Sequence, residues 1–207
     1  MNQKDLLNVL ACWKKIMAQS RDYLIEIDGV VGDGDLGLTM SDGFAAAYDA
    51  VAAGEEKDLG KMLYFGGKAM STAVPSTMGT LMASGLMNAG KVLKGKEELD
   101  TQDVAALFQA YLDGVMNRGS AKVGDKTFLD GLYPAVESLK KDAAAGADLK
   151  TMAENAKKAA EEGFLATKGM LAVHGRAATR GEASRELLDP GAAVAKLLME
   201  GFADAVA

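Results

Sequence analysis

The chain has 207 residues, of which 49% are hydrophobic and 25% charged, a net charge of −6 and an isoelectric point near 4.9. This length suits one substantial domain, the acidic balance excludes a general nucleic-acid or acidic-membrane surface, and no apolar run reaches the ~18–20 residues of a transmembrane helix. Few aromatics, abundant alanine and only three prolines favour an all-α fold, and the single cysteine, Cys12, excludes an intrachain disulfide, so a soluble cytoplasmic protein with Cys12 as a buried core thiol is expected.

Residues 3–27 carry Leu6, Leu7, Leu10, Trp13, Ile16, Met17 and Leu24 at helical spacing, which predicts a long amphipathic helix with a break near Ser20. It delivers the chain to the stretch Asp28–Met40, where Asp28, Asp33 and Asp35 alternate with Gly29, Gly32, Gly34 and Gly37. So many glycines predict a loop. Curling it brings three like charges towards one point, at a cost of a few kcal/mol per pair at an effective dielectric of ~20. A hard cation removes that cost. Carboxylates alone, with room left for water and phosphate, suit Mg²⁺ better than a Ca²⁺ cage. The spacing of Gly32, Gly34 and Gly37 also fits G-x-G-x-x-G, but two variable positions are Asp, which repel a bare pyrophosphate. An EF-hand fails because Phe44 and Leu38 stand where Glu and Gly are needed. The plainest alternative is a solvated acidic turn capping the next helix, for which one Asp suffices.

The second helix, 38–53, ends at Gly54 and starts beside the carboxylates, where Gly37 permits close approach and Thr39 offers a hydroxyl to a phosphate. A third spans 59–73, with Gly66, Gly67 and Ala69 as points where another helix can approach. Pro75-Ser76-Thr77-Met78-Gly79-Thr80 opens a fourth, reaching about 94, whose hydroxyls serve either capping or phosphate binding. The fifth, 101–118, ends at Gly119. Gly124-Asp125-Lys126-Thr127 is like the tail of a Walker A motif without its upstream glycine or strand. Thr127-x-x-Asp130 instead reads as a capping-box start to the sixth helix, 128–144, leaving Lys126 as a surface charge or local ion pair. After a seventh helix, 149–168, comes a long loop, 169–190, with His174, Arg176, Arg180 and Arg185. Its arginines either clamp an anion or sit in solvent, and His174 has no partner visible in the sequence that would make it a base. Asp189-Pro190-Gly191 begins the eighth helix with an acid at the N-cap and Pro at the first helical position. No internal repeat interrupts the series.

Taken together, Asp28-x₄-Asp33-Gly34-Asp35-x-Gly37 with Met40, the Gly79-Thr80 helix start, Arg118-Gly119, Gly124-Asp125-Lys126-Thr127, Gly175-Arg176-Ala177, Gly181-Glu182 and Asp189-Pro190-Gly191-Ala192 resemble the L subunit of dihydroxyacetone kinases. The resemblance runs in order over nearly the whole chain. It implies a single domain over 1–207, an eight-helix antiparallel up-and-down barrel, whose loops at one end hold Mg²⁺ and ATP or ADP. By that similarity Asp28, Asp33 and Asp35 bind two Mg²⁺ ions. Gly37, Leu38, Thr39, Ser76, Thr77, Gly79 and Thr80 lie near the phosphates or sugar, and Gly119, Phe128, Arg176, Asp189 and Gly191 surround the nucleotide. The hydroxyketone is held by a separate K subunit, so a kinase of this kind needs no covalent nucleophile here. The phosphoryl donor is either free ATP or a phosphotransferase-system subunit that recharges bound ADP. The chain departs from the family at Leu36, where His is usual, and at Ala73-Val74-Pro75-Ser76-Thr77, where Gly-Gly-x-Ser-Gly-Pro is usual. An alternative of a different class is a non-catalytic, nucleotide-loaded module that contacts a transcriptional or metabolic regulator.

Overall fold

The computed structural model describes residues 1–207 and contains helices but no strand. Nine α-helices run in order: α1 (Gln3–Gln19), α2 (Arg21–Val31), α3 (Leu36–Ala52), α4 (Leu59–Ala73), α5 (Thr77–Val92), α6 (Thr101–Gly119), α7 (Phe128–Ala144), α8 (Leu149–Ala166) and α9 (Pro190–Ala205), with a 3₁₀ segment, Arg176–Glu186, before the last. The all-α expectation holds. The expected first helix divides at Ser20 into α1 and α2, which raises the count from eight to nine. α2 also runs further than expected, through Gly29 to Val31. There the apolar spacing of Leu24, Ile27 and Val31 outweighs the ~1 kcal/mol that a glycine costs inside a helix. Asp28 is therefore helical, and only residues 32–35 form the link predicted to span the whole acidic stretch.

Side-chain caps define most helix starts. Asn2, Asp58, Ser76, Asp100, Thr127, Asp148 and Asp189 each accept a backbone N–H from the first turn of their own helix, a contribution of about 1 kcal/mol apiece. The Thr127/Asp130 capping box and the Asp189-Pro190 start are as the sequence predicts. Asp35, at the N-cap of α3, makes no such bond.

Consecutive helices pack side by side from α3 to α9, α1 packs on α3, and α9 returns to α1, so the series closes on itself around one core of 52 buried residues. α2 lies against α3, α9 and the 3₁₀ segment. As the small residues of α4 suggest, two helices approach it closely: a Cβ on Gly66 would lie 3.2 Å from the Ala47 carbonyl of α3, and one on Gly67 2.8 Å from the Ala83 carbonyl of α5. Trp13 is fully buried, edge-on to Phe44 and Phe108, and its Nε1 donates to the Leu198 carbonyl at 2.8 Å. Cys12 is half-buried on α1, not in the core as expected. No helix is long and apolar enough to cross a membrane.

Candidate functional site

At one end of the molecule the starts of α3, α5, α7 and α9 meet the ends of α2 and α6 around a cleft of about 610 Å³. Four helix N-termini thus direct their partial positive ends at one space, an arrangement suited to an anion. Between α2 and α3 the backbone turns at Gly34, with φ of +73°, and brings carboxylate oxygens of Asp28, Asp33 and Asp35 within 4.8 Å of one another. At that separation each like-charge pair costs about 1 kcal/mol in water and about 3 kcal/mol at an effective dielectric of ~20. Burial raises the Asp28 carboxyl above the ordinary range, the Leu36 amide opposing it from 3.3 Å and the charges of Asp33 and Asp35 adding to it. Arg176, from the 3₁₀ segment, offsets part of the charge through a 2.6 Å contact with Asp33.

The α2–α3 corner is fixed by Gly37. A Cβ there would fall 2.1 Å from the Arg21 carbonyl, so only glycine lets the two helices cross this closely. Gly37 thus faces α2 and not the cleft. Leu38 points outward and Thr39 is buried; neither lines the cleft, nor do Gly79, packed on the Val74 carbonyl, and Thr80. The other residues singled out from the sequence converge: Ser76, Thr77, Gly119, Phe128, Arg176, Asp189 and Gly191 all line the cleft with the three aspartates. Ser76 Oγ accepts the Gly79 amide at 3.0 Å, so its hydroxyl caps α5 while facing the cleft. Leu36, at the position of the usual histidine, is buried and joins the apolar lining.

Several lining residues escape sequence reasoning. Met78, Leu81, Val115 and Leu129 give the cleft an apolar wall beside Phe128. Leu81 and Val115 lie one helical turn from Thr77 and Gly119, so i±4 spacing from those two would have found them. His174 does have a partner: its Nε2 lies 2.9 Å from Asp125 Oδ2. The Lys122 amide, first, and His174 hold the Asp125 carboxyl below its ordinary range, so it is ionised and Nε2 carries the proton. Lys126 is no surface charge. It is 2% exposed, and its Nζ donates to the carbonyls of Met170 (3.3 Å), Ser184 (2.6 Å) and Leu187 (2.5 Å). Long-range bonds of this kind leave no local sequence signal. The stretch expected as a long loop is tied down by these bonds, and Arg176–Glu186 within it is wound into 3₁₀ turns. Asp189, buried at the N-cap of α9, accepts the Ala192 amide at 2.7 Å; burial pushes its carboxyl up to about 7.

Oxygen donors converging with no Cys or His among them, an apolar wall and several helix N-termini are the features that a metal-bound, phosphorylated ligand would need. Comparison with known proteins gives the family. The model of the DAK2 domain matches residues 30–204. The ADP-binding subunit DhaL of the PEP-dependent dihydroxyacetone kinase of Escherichia coli is 30% identical over 98% of this chain and 97% of its own length. The L-erythrulose 1-kinase of Mycolicibacterium smegmatis is 32% identical over 97% of this chain, which spans 35% of that enzyme. The crystal structure of the dihydroxyacetone kinase from C. freundii in complex with AMP-PNP and Mg²⁺ superposes with a TM-score of 0.76 at 20% identity, covering 99% of this chain and 34% of that one. The chain belongs to the DAK2-domain family of dihydroxyacetone kinase L subunits.

Proposed function

We propose that this chain is the nucleotide-binding subunit of a dihydroxyacetone-type kinase, with residues 1–207 acting as one unit in the cytoplasm. The observation that carries the reading is the convergence of three carboxylates within 4.8 Å at a cleft faced by four helix starts, in a chain that aligns end to end with an ADP-binding subunit. The residues fit Mg²⁺: every donor is a carboxylate oxygen, their mutual repulsion is relieved only in part by Arg176 and the Leu36 amide, and Asp35 is free of capping its own helix. Asp28, Asp33 and Asp35 would hold two such ions. When bound, Mg²⁺ supplies charge neutralisation of a nucleotide's phosphates during phosphoryl transfer.

The chain's own groups do the rest. The starts of α3 and α5, with Ser76 and Thr77, receive the phosphates; Gly37, Thr39, Gly79 and Thr80 set the backbone there, and Leu38 stays exposed outside the cleft. Arg176 reaches the cleft from the 3₁₀ segment beside the acidic cluster and can turn its guanidinium from Asp33 to a phosphate. Gly119 and Phe128, with Leu81 and Val115, offer an apolar surface to the base, and Asp189 and Gly191 contact the nucleotide from the same lining. The acceptor is a small hydroxyketone, dihydroxyacetone or a tetrulose, held by a partner K-type subunit, and ADP is recharged by a phosphotransferase-system subunit or exchanged for ATP.

Calorimetry with ADP and ATP, with Mg²⁺ and with EDTA, tests the site. Tight Mg²⁺-dependent binding is expected, and no binding to the folded protein would sink it. Mixing the chain with a K-type subunit, Mg·ATP and dihydroxyacetone tests the activity. Phosphorylation is expected only when this chain is present, and a rate indifferent to its omission would leave a regulator-binding module.

A further inference from the structure

Residues 169–188 form a strap that reaches the cleft at His174–Ala177, and the bonds that hold it in place bear on the site. It carries Arg176 and His174, both of which line the cleft. Part of its order is internal: the Ala172 amide donates to Ser184 Oγ at 3.1 Å, and Arg185 Nη1 donates to the Gly169 carbonyl at 2.7 Å. Its links to the rest of the molecule concentrate on two consecutive residues of the α6–α7 connection. Asp125 takes His174 through its carboxylate and the Val173 amide through its carbonyl, at 3.3 Å. Lys126 reaches the carbonyls of Met170, Ser184 and Leu187, near both ends of the strap.

An ammonium has three donors and no acceptor. Those of Lys126 meet three carbonyls, so none is left for a phosphate although the residue lines the cleft. Two further features mark the arrangement as built. Lys126 has a φ of +61°, in the left-handed region that a side chain other than Gly or Asn seldom occupies. Burial holds its ammonium below the ordinary lysine range, opposed by the charge of Asp189.

We propose that Lys126 is a positioning residue for the nucleotide site: its buried ammonium pins the strap 169–188 at three carbonyls and thereby sets Arg176 over the phosphate-binding side of the cleft. This rests on the nucleotide-binding reading above. Without this pin Arg176 is held only by Asp33 and, through His174 and Val173, by Asp125, so it keeps its chemistry but sits less firmly in place.

The test is a double-mutant cycle on Mg·ADP affinity, measured by calorimetry on the full chain. Lys126→Met and Arg176→Ala should each weaken binding about tenfold. The double variant should lie within about threefold of Arg176→Ala alone, because the second change removes the group that the first one misplaces. Hydrogen exchange should quicken at the Ala172 and Leu187 amides of Lys126→Met and stay slow in α7, which a general loss of stability would not do. If Lys126→Met does not fold, Lys126→Asn, which tolerates the left-handed backbone, carries the same cycle. Losses that multiply in the double variant, or an affinity indifferent to Lys126 while the wild type binds Mg·ADP, would overturn the inference alone. A wild type that binds no Mg·ADP would overturn both the inference and the reading beneath it.

Discussion

Two connections flank the cleft, and they treat charge in opposite ways. In residues 122–130 every buried ion is met: Asp125 accepts the Lys122 amide and His174, Lys126 holds three carbonyls, and Asp130 accepts the amides of Gly124 and Thr127 at 2.6 and 2.7 Å. In residues 28–35 three carboxylates share one amide at 3.3 Å and one exposed arginine. The first connection spends its charges on the fold. The second leaves them unspent at the mouth of a cleft, which is the feature on which the proposed ligand site rests.

Mutations at the two connections should therefore part binding from stability. The largest effect is expected for Asp33→Asn, which should weaken Mg²⁺-dependent nucleotide binding by roughly a hundredfold or more while the helical signal in circular dichroism and the melting point of the metal-free protein stay put. Undiminished affinity would refute the metal site. Asp130→Ala should do the reverse. Two partly buried amides lose their acceptor, at about 1–2 kcal/mol, which for a chain of this size lowers the melting point by roughly 2–8 °C in a thermal scan. Arg176→Ala, removing an ion pair exposed on both sides, should leave the melting point within about a degree. Its nucleotide affinity should still fall about tenfold, and a stability loss in place of an affinity loss would move Arg176 into the first class.

The gentlest probe is pH. The Asp189 carboxyl titrates near 7 in the fold and near the ordinary carboxylate value when unfolded. Between those values the folded state binds the extra proton, so this group's contribution is full below the unfolded value and is lost as pH rises through 7. Denaturation from pH 4 to 8 should show Asp189→Asn, which keeps an N-cap, gaining on the wild type as pH climbs. A constant difference between the two would refute the shift.

The unmet connection was the more legible in the sequence. Asp28, Asp33 and Asp35 lie within eight positions, and the glycines between them announce a turn, although the apolar face of α2 carried the helix further than those glycines suggest. The helix series was legible for the same reason: caps such as Thr127/Asp130 and Asp189-Pro190 act within three residues of themselves. Lys126 was misread because the carbonyls it holds are 44, 58 and 61 positions away, and His174 because its partner is 49 away. Leu81 and Val115 looked like any core residue, since nothing in a helical pattern tells a buried side chain from one lining a cavity.

The bond between His174 and Asp125 has a practical side. The chain holds one histidine and one tryptophan, and they have fallen to opposite duties: Trp13 sealed within the aromatic core, His174 on the wall of the cleft. Indole fluorescence therefore reports whether the protein is folded, while the single imidazole line in a proton spectrum, free of overlap from any other histidine, reports what is happening in the cleft. The molecule carries its own pair of labels, one for each half of the question.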